Sequence, residues 1–360
     1  MRTLYLHVGV HRTGTTSTQR FLRDNFNVLL TKGYLYPYGV KRHDQIVRRL
    51  ANNEITAQDF AIDLTARADK QLEHITSIVI SDEDISLIED LRIFAPLKEY
   101  FDIKLVVALR RQDLWLESWY LQNVKWQWND ALSHLTFDEF FARRTDFFWI
   151  DYAARFAHFE SIFGPDAVVA GVFEKDDMPE GPIQSFLNMI GIKVRTGFGP
   201  FLHRNSSLSP LLSEFMRQLP LDRMAIKERT IVEAACIEVD KTLKTNGSKL
   251  IMTAAQREIV MAEYEDSNHK TAVRYVGRET LFREPLPNAE ALLADTVLPG
   301  QSQDVVEQFV SPVLEALASL MTKARFERDT VEKANAEKVA VKTIKRSQNL
   351  DKITAGPLPN

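Results

Sequence analysis

Residues 7–16 read HVGVHRTGTT. Four residues separate Gly9 from Gly14, and Thr13, Thr15 and Thr16 crowd around the second glycine, with Arg12 just upstream. Tight-turning glycines, short hydroxyl side chains and one rigid cation suit a site that grips a phosphate-like anion. The spacing comes close to the phosphate-binding loop of nucleotide hydrolases, which places a Lys directly after the second glycine. Here that position is Thr15. Without a Lys to reach the β- and γ-phosphates, an ordinary ATPase is disfavoured.

The elements that must carry such a loop are legible around it. Residues 3–9 form an apolar, β-rich run followed by turn residues, which predicts a buried strand. Phe21, Leu22, Phe26, Leu29 and Leu30 then recur at helical spacing, so a helix is expected from about Thr15 to Thr31, stopped by Gly33. "SIVIS" (77–81), "IKLVVAL" (103–109) and "AVVAGVF" (167–173) are near-continuous aliphatic runs, as in central parallel strands covered on both faces. A helix is expected after the second of these. The alternation predicts an α/β fold, a P-loop-type doubly wound and mainly parallel sheet flanked by helices. The second half reads as mainly helical, with capping boxes at "TFDE" (136–139) and "TAAQ" (253–256) and Ser209–Pro210 at a helix start. The expected division is an α/β domain with helical insertions over 1–285 and a helical C-terminal extension over 286–360, its connection irregular through about 301.

Composition bounds the rest. The chain has 360 residues, 45% hydrophobic and 26% charged, with net charge -4, so no global basicity points to nucleic acid. Cys236 is the only cysteine, which excludes an intramolecular disulfide and leaves little for a metal site. No unbroken apolar run approaches the length of a membrane span, and the start is too short for a secretory signal, so a cytoplasmic protein is expected.

With its strand and helix, "HVGVHRTGTTSTQ" resembles the 5′-phosphosulfate loop of the sulfotransferases that use 3′-phosphoadenosine 5′-phosphosulfate. In that family the loop reads Pro-Lys-[Ser/Thr]-Gly-Thr-Thr, and the family's Lys falls on Arg12. The resemblance implies that His11, Arg12, Thr13, Gly14, Thr15 and Thr16 bind the donor, with Arg12 beside the bridging oxygen. Arg keeps the electrostatic role, but it cannot give up a proton. A second family motif, a strand-terminal Arg and a Ser eight residues later that hold the 3′-phosphate, matches Arg110 and Ser118. The family's Asn-Pro after that Arg is here Arg111-Gln112, which leaves open which arginine contacts the ligand. Weaker similarity to bacterial members runs through "SWYLQNVK", "GVFEK", "HRNSSLSP" and "YEDSNHKTAVRYVG"; Arg204 and Asn205 in the third are candidate donor contacts.

Sulfuryl transfer needs an acceptor placed in line, a stabilised leaving group and a base, and in principle no metal. His43, after the first helix, and Glu83, just past a strand's carboxyl end, are the base candidates, and they stand side by side as alternatives. His7, alternating with strand residues, reads instead as a packed or hydrogen-bonded core histidine. All five Trp lie between 115 and 149; Trp115 and Trp119 read as core, and Trp126 and Trp128 as candidates to stack on an acceptor. The resemblance implies a hydroxyl acceptor, with an amine second, on a carbohydrate, glycolipid or small molecule. Self-association through the C-terminal helices is a further expectation. Two rival readings remain: a P-loop kinase with Asp82 on Mg2+, and a non-catalytic nucleotide-binding or assembly protein.

Overall fold

The computed structural model describes residues 1–193, 196–200, 208–326 and 332. Five strands, β1 (Arg2–His7), β2 (Tyr34–Leu35), β3 (Ser77–Ser81), β4 (Phe101–Leu109) and β5 (Val168–Val172), form one all-parallel sheet in the order β2-β3-β1-β4-β5. His7, the last residue of β1, stands opposite Ser81 of β3 and Val106 of β4. The chain runs from β1 outward to β2, returns through β3, and crosses to β4 on the other side of β1. A crevice therefore opens at the carboxyl edge, where the loops after β1 and β4 diverge.

Alternation along the strands feeds two cores. Leu4, Leu6, Ile78, Ile80, Leu105 and Val107 point into the larger one, with α4 (Ala57–Asp69), Trp115 and helix Tyr152–Phe163. Val79 and Val106 point the other way, against Phe21 and Leu22 of α1 (Thr15–Asp24), Leu29 of α2 (Phe26–Thr31) and helix Pro182–Met189. Sheet faces covered on both sides explain why the strands read as unbroken aliphatic runs.

Three local departures from the sequence reading have physical causes. The helix expected over 15–31 is broken at Asn25, whose side-chain amide donates to the Phe21 carbonyl and whose oxygen accepts from the Gly199 N–H. β1 ends at His7 rather than residue 9, because the chain must turn at Gly9. β2 is two residues long, too short to leave a pattern. The capping boxes at Thr136 and Thr253 and the Ser209 cap with Pro210 form as read.

α3 (Asp44–Ala51) follows the loop after β2, and α5 (Gln112–Trp126) follows β4 directly. α5 is clamped by buried charges. Arg257 donates to Asp113 (2.6 Å) and Glu117 (2.5 Å), and Arg111 donates to Asp113 (2.7 Å). Each carboxylate thus has its cation, the condition under which buried ions are tolerated. The helix Ser302–Phe326 docks through Phe309, which stacks on Phe215 at 5.1 Å. The sequence shows no unbroken apolar span here, yet this helix of 25 residues has, by length and composition only, the hydropathy of a membrane-crossing helix.

Candidate active site

The loop between β1 and α1 presents main-chain donors. The N–H groups of residues 9–16 have no hydrogen-bond partner among the described residues. Gly14 takes φ 80, ψ 11 as the N-cap of α1, and its carbonyl already receives the Ser17 and Thr18 N–H groups. A side chain at Gly14 would meet Pro182 at 2.9 Å, and one at Gly9 would meet Thr15 at 2.6 Å. Both glycines are therefore required by φ and by space together. The Thr13 hydroxyl is used internally, donating to the Val10 carbonyl at 2.6 Å. Thr15 is buried and Thr16 exposed, so Thr16 carries the hydroxyl that faces outward. Free N–H groups at a helix start favour an anion.

Arg12 departs from the position the resemblance implies. Its backbone is left-handed (φ 73), a conformation non-glycine residues adopt mainly where structure or function demands it. The side chain leaves the loop for α5, where Nε donates to Ser118 Oγ (2.6 Å) and Nη1 to Gln122 Oε1 (2.8 Å). Ser118 and Gln122 are one helical turn apart and offer two acceptors in line. Arg12 thus joins the two sequence motifs instead of remaining over the loop.

Arg110 lies alongside, its Nη1 donating to the Arg12 carbonyl at 2.8 Å. Tyr152 pins it by donating its hydroxyl to the Arg110 carbonyl. The alternative, Arg111, is turned away: besides Asp113 it bonds the Glu284 carbonyl at 2.6 Å. Arg12, Arg110 and Ser118 line a cleft of about 210 Å3 with Leu114, Leu121 and Lys249. Neither Arg12 nor Arg110 pairs with a carboxylate among the described residues. Burial holds the Arg12 guanidinium below its usual pKa, and burial with the neighbouring Arg12 charge pushes Arg110 down to about 10. Two crowded, half-desolvated cations favour a multivalent anion.

Glu83 begins the short helix after β3, and its Cβ lies 3.8 Å from where a Gly9 side chain would start. Gln19 of α1 donates to its Oε2 at 2.5 Å, and Arg42 stands 3.6 Å from Oε1. Arg42 also pairs with Asp82 (2.6 Å) and Asp84 (2.5 Å). Burial pushes Asp82 up to about 7, against the pull of Arg42. Burial works the same way on Asp84, but the hydrogen bond from His11 and the charge of Arg42 hold it well below the carboxylate range. His11 Nε2 lies 3.3 Å from Asp84, its ring against Trp119, so this residue ties the loop to the 82–84 segment.

His43 is not available as the sequence reading expected. It is buried, its Nε2 bonds the Pro37 carbonyl (3.1 Å), and its Nδ1 accepts the Ser81 N–H (3.0 Å). Burial lowers its pKa to about 4. Both ring nitrogens serve the main chain, which leaves none to take a proton from a substrate. His7 is a core histidine, bonded to Ser81 Oγ at 2.8 Å. Trp126 and Trp128 stack on each other (6.2 Å, 11°) at the far end of α5, and neither lines the cleft. Arg204 and Asn205 lie outside the described residues.

Sequence reasoning missed Gln19, Arg42, Gln122 and Tyr152. Gln19 and Gln122 were findable as residues one turn from Thr15 and Ser118 on the same helix faces. Arg42 and Tyr152 come from distant segments and left no local signal. The "GVFEK" and "YEDSNHK" stretches act at one remove. Glu174 accepts the Arg283 N–H (2.8 Å), and Asn268 exchanges amide hydrogen bonds with Gln112 at the start of α5.

No family model matches the chain. An uncharacterized protein of Archaeoglobus fulgidus is 28% identical over 183 residues, 50% of this chain and 47% of that protein. The match thus spans about half the length of that relative. Among solved structures, a sulfotransferase from Alicyclobacillus acidocaldarius aligns with 64% of this chain and 99% of its own at 15% identity, with a TM-score of 0.37. A likeness at that level fixes neither reaction nor ligand, and the site's own chemistry has to carry the functional reading.

Proposed function

We propose that this chain is a sulfotransferase that takes the sulfuryl group of 3′-phosphoadenosine 5′-phosphosulfate to a hydroxyl, or second an amine, of a glycan, glycolipid or small-molecule acceptor. One observation carries the reading. Arg12 and Arg110, unpaired by any carboxylate among the described residues, converge with Ser118 on one cleft beside a loop of free N–H groups. That arrangement fits a ligand with two separate anionic ends. The N–H groups of residues 13–16 and the Thr16 hydroxyl would hold the 5′-phosphosulfate, and Arg110, Ser118 and Arg12 the 3′-phosphate.

The donor brings a sulfuryl group that is already activated. The protein's part is then to place the acceptor, take its proton and stabilise the charge left behind. Glu83, oriented by Gln19 and adjacent to Gly9, is the base in this reading. Charge on the departing phosphate falls to the loop N–H groups and the α1 dipole, because the Arg12 guanidinium points to α5. The rival kinase reading would place Mg2+ on Asp82, whose carboxylate is buried and committed to Arg42.

Calorimetric titration with 3′,5′-adenosine bisphosphate and with ATP–Mg2+ tests the reading. Binding of the bisphosphate at micromolar or tighter affinity is expected. Tight ATP–Mg2+ binding with none of the bisphosphate would sink the proposal.

A further inference from the structure

The loop after β2, with α3 and α4, encloses a second and larger cleft of about 720 Å3, room for a molecule of drug size. Val40, Ile46, Ile55 and Phe60 give it an apolar floor, and Lys41 and Arg42 stand on its wall. Arg42 is the partition between this cleft and the loop site, since its guanidinium reaches Asp82 and Glu83. The cleft therefore opens beside the carboxylate that orients on Gln19.

Most of its other charged groups have partners: Asp44 pairs with Arg48, Arg49 with Glu54, and Asp59 accepts from the Thr56 hydroxyl. Arg67, Asp63 and Tyr38 satisfy one another, with Arg67 stacked 4.3 Å from the Tyr38 ring and both bonded to Asp63. Arg42 is spent on three carboxylates. Lys41, half-buried on the wall, has no side-chain partner among the described residues. Burial, Arg20, Arg23 and Arg42 together depress the Lys41 ammonium, with Glu83 opposing.

We propose that the cleft takes a small amphipathic organic anion, its carboxylate held by Lys41 and its apolar body on Val40, Ile46 and Phe60, and that this anion is the acceptor. Naming it the acceptor rests on the sulfuryl-transfer reading; the anion site stands without it.

Calorimetry on the full chain with 4-hydroxyphenylacetate and its neutral amide, matched in size, separates charge from shape. The carboxylate is expected to bind at least about tenfold tighter than the amide, as for a charge-assisted hydrogen bond. Lys41→Ala and Lys41→Glu should each cost the carboxylate about fivefold or more and leave the amide unchanged. Equal affinities for the pair, no binding of either, or an unchanged carboxylate affinity in both variants would overturn the proposal. A parallel bisphosphate titration keeps the two readings apart. Bisphosphate binding without charge preference removes the anion site alone. Charge preference without bisphosphate binding upholds the site and removes its role as acceptor.

Discussion

At the scale of single residues, the site depends on which of two adjacent arginines is free. Arg111 has its hydrogen bonds taken by Asp113 and the Glu284 carbonyl, whereas Arg110 faces the cleft beside Arg12. Arg110→Ala should weaken 3′,5′-adenosine bisphosphate by about 1.5–3 kcal/mol in calorimetry, the worth of a charged hydrogen bond. An unchanged affinity would return the role to another cation. Glu83→Gln keeps the side chain's shape and its contact with Gln19, and should lower turnover by about a hundredfold or more with bisphosphate affinity unchanged. If turnover survives, the base is a different group.

At the scale of elements, the β1–α1 turn is the part most sensitive to substitution. Gly14 is held at φ +80 with Pro182 close against it, so a methyl group there meets backbone strain and a clash at once. Gly14→Ala should destabilise by roughly 1–3 kcal/mol in urea unfolding and abolish bisphosphate binding, because N–H groups at the helix start must move. Stability and affinity both like wild type would mean that the loop is not the anion cradle. α5 is the second positioning element. Its buried clamp of Arg257, Asp113 and Glu117 sets the helix on which Ser118 and Gln122 meet Arg12.

At the scale of the whole molecule, buried titratable groups couple folding to pH. Burial lowers His7 and His43 to about 4. Below pH 6.5 the unfolded chain takes up protons that these native imidazoles refuse, so stability falls as pH drops from 6.5 toward 4. Asp82, raised to about 7 by burial, works in the opposite sense, because the native state binds its proton first. The clean readout is therefore a difference. Between pH 7 and pH 4.5, wild type should lose about 2 kcal/mol more than His43→Gln in urea unfolding. Equal losses would mean that His43 is not held neutral.

Much was legible in the sequence wherever local pattern and local physics coincide. The four longer strands, the α/β class, the capping boxes and the tight turn between β1 and α1 each follow from nearest neighbours, periodicity or turn chemistry, and all of them form, with β1 ending two residues early. Arg110 and Ser118, matched to a family motif by their separation, do line one cleft, because a strand end and a helix face hold a fixed geometry. Only the tertiary structure decided what depends on distant segments meeting. His43 became a core residue because the Ser81 N–H and the Pro37 carbonyl close on its ring. Arg12 was drawn to α5 because Ser118 and Gln122, more than a hundred residues away, supply its acceptors. Arg42 came to join three carboxylates and two clefts for the same reason. A side chain's type fixes the chemistry it can offer, but its partners and the direction it faces are set by packing, and packing is not local.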